Sequence, residues 1–199
     1  MTVTFFLLRH AAHDNLGRYL AGRLPGVHLG EAGRTQAARL AQRMKHETFA
    51  AIHVSPRERA QETAEIVAAA CGIESIVTEP DLDEIDFGEW QGQDFASLES
   101  DPAWRKWNSA RSMARTRGGE TMLDVERRAM GVLERATLRY VSAGLAIVSH
   151  SEVIKAIVSH VLGLPIDAWS KFEVAPASVS TIVVGDWGAK LLSLNEMVG

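Results

Sequence analysis

The chain is poor in cysteine, in long apolar runs and in excess charge of either sign. Cys71 is its one cysteine, so no internal disulfide can form and no Cys-x-x-Cys pair exists for metal or redox work. Cys71 itself reads as a small hydrophobe on a helix, and the count fits a reducing cytoplasm, where the protein is expected to reside. No stretch approaches the ~20 apolar residues a spanning helix needs, which argues against a membrane role. The opening run MTVTFFLLRH lacks a positive flank and runs straight into Arg9-His10; it reads as a core strand rather than a signal peptide. With a net charge of −4 there is no basic excess of the kind nucleic-acid phosphates demand. Repeats, low-complexity tracts and Gly/Ser/Pro linkers are also missing. What remains is a globular balance, 46% apolar and 23% charged over 199 residues, enough for one domain spanning 1–199 to bury a full core.

Residues 3–9 are near-continuously apolar and β-branched or aromatic, as in a strand covered on both faces. From Glu31, Ala37, Leu40, Ala41 and Met44 recur at helical spacing. Ala50 to Val54 predicts a second strand, and Ser55-Pro56 after it predicts a helix start, Ser as N-cap and Pro in the first turn. Ala60, Ala64, Val67 and Cys71 share one face of that helix. Residues 80–93 are acidic and turn-rich, Trp104 and Trp107 follow in a polar segment, and 80–120 reads as an irregular insertion over one end of the fold. A long amphipathic helix is expected over 121–140, a strand over 145–148, a helix from Ser149-His150 onward, a strand over 180–184 and an edge strand near Leu191. Strands alternating with helices predict an α/β fold, a three-layer α/β/α sandwich around a mostly parallel sheet. In such sheets ligands bind at the carboxyl ends of the strands.

Two of these strands end in histidine, Leu7-Leu8-Arg9-His10 and Ile147-Val148-Ser149-His150. A third is followed by Arg57 and Arg59. If the three strands are parallel, two imidazoles and two or three guanidiniums converge in one cleft. Forked donors and fixed positive charge make such a cluster an anion site suited to phosphate, and amides at the helix start after His150 would add donors. A rim histidine or a solvated helix start would look the same locally, and only the convergence separates the two readings.

Six segments, in order over nearly the whole chain, resemble the histidine phosphatase superfamily, the phosphoglycerate-mutase-like proteins. They are Leu8-Arg9-His10; Leu20-Ala21-Gly22-Arg23 with the stretch Leu29 to Ala37; Ser55 to Ala64; Leu82 to Gly92; Gly118-Gly119-Glu120-Thr121; and Val148-Ser149-His150. The resemblance implies that His10 is the nucleophile and becomes phosphohistidine, that Arg9, Arg59 and His150 hold the phosphoryl oxygens, and that Glu84 protonates the leaving oxygen and then activates water. Glu89 is the competing acid; Asp86 and Glu89 read as loop-shaping or solvated, and Glu120 as a cap beside Thr121 or a second acid. No cofactor and no metal are implied. An imidazole whose unperturbed pKa is about 6.5 is a nucleophile near neutrality.

The sequence departs from the family pattern at four places. Ala11 stands where many members have Gly, His13 where many have Thr, Asn15 one position early, and Ser151 where a Gly often follows the second histidine. His13 is expected either to act as a cationic donor or to be exposed; Asn15 and Ser151 remain candidates for phosphate contacts, and Arg23 for the rest of the substrate. The implied activity is hydrolysis of a small phosphomonoester. A mutase-like phosphotransferase is the alternative, disfavoured by the lack of the longer insertions of that branch, and a phosphate-binding regulatory module is a third reading. A metal hydrolase is the weakest, because His10-x-x-His13 is not the helical i, i+4 pair of a zinc site.

Overall fold

A computed structural model describes residues 2–140 and 142–197. Six strands form one sheet in the order β3-β2-β4-β1-β5-β6: β1 (Thr2–Arg9), β2 (Ala51–Val54), β3 (Ile76–Thr78), β4 (Gly144–Ser149), β5 (Val179–Gly185) and β6 (Gly188–Glu196). The first four in that order are mutually parallel. β5 runs antiparallel to β1 and forms a hairpin with β6. The sheet is therefore mostly parallel, with helices on both sides, as the alternating pattern predicts.

The alternation of side chains along β1 explains its continuous apolarity. Val3, Phe5 and Leu7 point to the layer holding α5 (Met122–Arg139) and α6 (Ser151–Leu162). Phe6 and Leu8 point to the layer of α1 (Glu31–Met44) and α2 (Glu58–Cys71). Each face needs its own hydrophobe because both faces are covered. α5 opens on a capping box, Thr121 and Asp124 exchanging side-chain and backbone bonds, which satisfies two orphan donors of its first turn. α2 and α6 each stop at a glycine in the left-handed region, Gly72 and Gly163. No helix among the described residues is long and apolar enough to cross a membrane.

Two expectations need correction. α2 starts at Glu58 with Arg57 at its N-cap, not at Ser55, whose hydroxyl bonds both His150 Nε2 and the Arg57 N–H in the turn ahead of the helix. Segment 80–120 is more regular than expected: α3 (Phe95–Ser100) and α4 (Pro102–Ser109) are capped by the carboxylates of Asp94 and Asp101. The tryptophans of α4, Trp104 and Trp107, pack inward, Trp104 edge-on to Trp90 at 5.4 Å, with the Trp90 indole N–H on Asp101 at 2.9 Å. The strand over 180–184 and the edge strand near Leu191 are found as β5 and β6, joined as an antiparallel hairpin.

Because β4 lies between β2 and β1, with Val54 and Leu8 both paired to Val148, three strand ends open side by side. This is the edge where the sequence places its chemistry.

Candidate active site

His10 leaves β1 with its backbone N–H on Ser149 O at 2.9 Å, so the ends of β1 and β4 are tied together. Its ring is 5.1 Å, centroid to centroid, from that of His150. His10 Nδ1 donates to the carbonyl of Ala11 at 2.8 Å, while Nε2 accepts from Arg59 Nε at 3.3 Å. Guanidinium can only donate, so the proton sits on Nδ1 and the lone pair of Nε2 faces the cleft's cations. Burial, then Arg59 and Arg9, hold the His10 imidazolium form well below its ordinary pKa. His10 is thus held in its neutral form at neutral pH.

Arg59 occupies the first turn of α2 and is 1% exposed. Besides His10 it donates to Gly22 O at 2.8 Å and to His150 Nδ1 at 3.2 Å. By the same donor argument His150 carries its proton on Nε2, which donates to Ser55 Oγ at 2.7 Å. Burial and the neighbouring cations keep His150 neutral as well. Arg9 is anchored on Val174 O at 2.7 Å. Arg9 Nε and Arg59 Nη1 are buried without a hydrogen-bond partner; a tetrahedral oxyanion supplies the acceptors such donors require.

Glu84 faces this cluster from the loop after Leu82, its Oε2 3.7 Å from His150 Nδ1 and its Oε1 accepting from Ile85 N–H. Burial raises its pKa to about 7, against the opposing pull of Arg59. Glu89, the competing acid, is 65% exposed and does not line the cleft. Arg9, His10, His13, Arg59, Glu84 and Ser151 all line one cleft of about 270 Å³. Among the described residues, no group of three or more His, Cys, Asp or Glu is placed to hold a metal ion.

The remaining candidates divide. His13 is neither cationic nor exposed: it is 6% exposed, and burial with Arg59 and Arg9 lowers its pKa to about 4, so it lines the cleft as a neutral imidazole. Asn15 lies instead in an adjoining depression with Asp14, Tyr19 and His28, because the chain turns back at 13–18 through Leu16 N–His13 O and Arg18 N–Asn15 O bonds. Arg23 does not line the cleft either; its guanidinium is engaged by Glu84 O at 2.7 Å and Glu120 at 2.8 Å. Glu120 caps nothing, since Asp124 completes the capping box. Asp86 does shape the loop, accepting from Gly88 N–H at 2.9 Å.

Sequence reasoning missed Ser55 as the partner of His150, because Ser-Pro is also a helix-start signal. It also missed Arg111, which is 4% exposed, ion-paired with Glu152 and stacked 3.5 Å over the Trp169 ring. All three line the same cleft. Nothing local marks Arg111 as lining the cleft, since its partners there, Glu152 and Trp169, lie 41 and 58 residues away.

The model of the family described as "Histidine phosphatase superfamily (branch 1)" matches residues 5–197. Phosphoserine phosphatase 1 of Hydrogenobacter thermophilus is 31% identical over 97% of this chain and 92% of its own length. A probable phosphoglycerate mutase, GpmB, of Photorhabdus laumondii is 32% identical over 89% of this chain and 83% of its own. Among solved structures, mycobacterial glucosyl-3-phosphoglycerate phosphatase superposes with a TM-score of 0.88 at 25% identity, covering 98% of this chain and all of that one.

Proposed function

The chain belongs to the histidine phosphatase superfamily (branch 1), and from that premise we propose that it is a phosphomonoester hydrolase working through phosphohistidine on His10, with no metal or cofactor. The observation that carries the reading is the fixed His10 tautomer: Nδ1–H is pinned on Ala11 O, which leaves the Nε2 lone pair beside Arg59.

In the first half-reaction Nε2 attacks phosphorus and the bond from phosphorus to the ester oxygen breaks. Arg9, Arg59 and the backbone amides at the start of α6 neutralise charge on the equatorial oxygens. His150 acts from behind them: Nδ1 accepts from Arg59 and Nε2–H is turned to Ser55, so it holds the Arg59 guanidinium in place. The Glu84 carboxyl gives its proton to the departing alkoxide, a step worth roughly 10²–10⁴-fold. In the second half-reaction the Glu84 carboxylate takes a proton from water, the water oxygen bonds to phosphorus, and the N–P bond breaks to release inorganic phosphate and neutral His10. A group with a pKa of about 7 serves as acid and then as base at neutral pH without large cost in either direction.

The relative named as a probable phosphoglycerate mutase favours a second reading, transfer of the phosphoryl group to another hydroxyl rather than to water. The first half-reaction is common to both. Mixing the protein with p-nitrophenyl phosphate, quenching within milliseconds under acid and in parallel under alkali, and mapping the adduct by mass spectrometry separates the outcomes. A transient adduct on His10, lost in His10→Ala with the fold retained, supports hydrolysis. An adduct that water leaves intact and an added phosphoglycerate discharges supports the mutase. No adduct and no turnover across a panel of phosphomonoesters leaves a binding role. Turnover abolished by EDTA and restored by a divalent metal overturns the metal-free mechanism.

A further inference from the structure

Behind Glu84, away from the phosphoryl pocket, lies a second charged cluster. Glu120 Oε2 accepts from Arg23 Nη2 at 2.8 Å, from Arg128 Nη2 at 3.1 Å and from the backbone N–H of Asp86 at 2.9 Å. Its Oε1 accepts from Arg128 Nε at 3.0 Å. Both arginines then reach one further acceptor, the backbone carbonyl of Glu84: Arg23 Nε at 2.7 Å and Arg128 Nη2 at 3.2 Å. The backbone N–H of Glu84 is held separately by Asp83 Oδ1 at 2.8 Å. The peptide of Asp86 is held at both ends by Glu120, side chain to N–H and N–H to carbonyl, the latter at 3.0 Å. Thr116 Oγ1 adds a bond to the same carbonyl at 2.7 Å.

The three contributors come from separate segments: Arg23 after β1, Glu120 from the turn at 116–120, Arg128 from α5. Side chains of Glu120 and Arg128 are 21% and 13% exposed, so the network is partly shielded from water, where multidentate charged bonds hold geometry better than exposed pairs. The turn approaches so closely that a Cβ on Gly119 would stand 2.1 Å from Asp86 O. None of these groups lines the cleft. Their common target is the main chain that carries the Glu84 carboxyl.

Resting on the reading of Glu84 as the general acid, we propose that Glu120 is a positioning residue which, through Arg23 and Arg128, sets the Glu84 carboxyl against the leaving-group oxygen. Proton transfer is sensitive to placement: an error near 1 Å costs on the order of 10²-fold. The network therefore governs departure of poor leaving groups and is nearly irrelevant to good ones. An alkoxide needs the proton; p-nitrophenolate leaves without it.

The test compares kcat/KM for 2-phenylethyl phosphate and p-nitrophenyl phosphate in wild type and Glu120→Gln. This parameter reports phosphorylation of His10 alone, so the role of Glu84 in the water step does not enter. In Glu120→Gln the alkyl ester is expected to lose about 30–100-fold and the aryl ester less than about 3-fold. Equal losses on both overturn the proposal, because a merely structural brace disturbs the whole cleft alike. Arg128→Lys keeps the charge but loses the fork, and is expected to show the same selectivity in weaker form; it also serves if Glu120→Gln fails to fold. Glu84→Gln on the same pair separates the two levels of the argument. If that variant lacks leaving-group selectivity, the acid assignment fails. If it is selective while Glu120→Gln and Arg128→Lys are not, only the positioning role fails.

Discussion

Glu84 shows two opposing influences at one carboxyl. Arg59 and Arg9 favour the anion, burial disfavours it, and burial dominates, raising the pKa from 4.5 to about 7. The folded state thus retains a proton that the unfolded chain releases near pH 4.5, so stability is lost as pH rises from there through about 7. That penalty is roughly 1 kcal/mol at pH 5 and roughly 3 kcal/mol at pH 8. Glu84→Gln removes it, and urea unfolding should find the variant stabilised by more at pH 8 than at pH 5. An equal difference at both pH values would mean an ordinary carboxyl, and with it no proton for the leaving group at neutrality. At this scale the sequence was legible in placement, where a histidine directly follows an apolar strand, as at His10 and His150. It misled at Ser55, Arg23 and Glu120, whose partners lie 95, 97 and 97 residues away and whose local contexts each offer a plausible capping or turn role.

Among the elements, the long ones were legible because each carries its own pattern: α1, α2, α5 and α6 repeat apolar residues at helical spacing, and β1 is near-continuously apolar. The three-residue β3 and the six-residue α3 are too short to establish a period, and the Asp94 and Asp101 caps stand in a segment whose acidity resembles a loop. How an element meets its neighbour was also not written locally. Gly33 in α1 lies so close to the loop after His10 that a Cβ would stand 1.8 Å from Ala12 O. Backbone cannot yield as a side chain does, so Gly33→Ala is expected to push α1 from the His13 loop. It should cost at least about 2 kcal/mol of stability and most of the activity. Gly131 in α5 meets only the flexible tip of Arg135, at 3.3 Å. Gly131→Ala should stabilise by about 0.5–1 kcal/mol through helix propensity alone, with activity unchanged. Denaturant midpoints of the two variants should move in opposite directions. A stable, active Gly33→Ala would show that the contact between α1 and the loop after His10 is loose.

For the molecule as a whole, the α/β class followed from alternating elements, and the convergence of three strand ends followed from assuming those strands parallel; the order β2-β4-β1 places them adjacent. The chain is net acidic at −4, yet Arg9 and Arg59 are gathered at one buried edge with three neutral histidines around them. Assembling that edge is unfavourable, since both guanidiniums are desolvated and each buried donor without a partner costs about 1–3 kcal/mol. Function at this cleft therefore draws on global stability, and an oxyanion that satisfies those donors should return part of it. Inorganic phosphate is expected to bind only the folded arrangement, and at 100 times its Kd it should add about 2.7 kcal/mol. In a chain of this size that raises Tm by about 5–10 °C, measured by calorimetry against sodium chloride of equal ionic strength. Arg59→Met deletes the donor that joins both histidines, and the phosphate-specific shift should vanish with it. If the variant shifts as far as wild type, phosphate is acting elsewhere on the surface, and the edge where the three strands end is not the phosphate site.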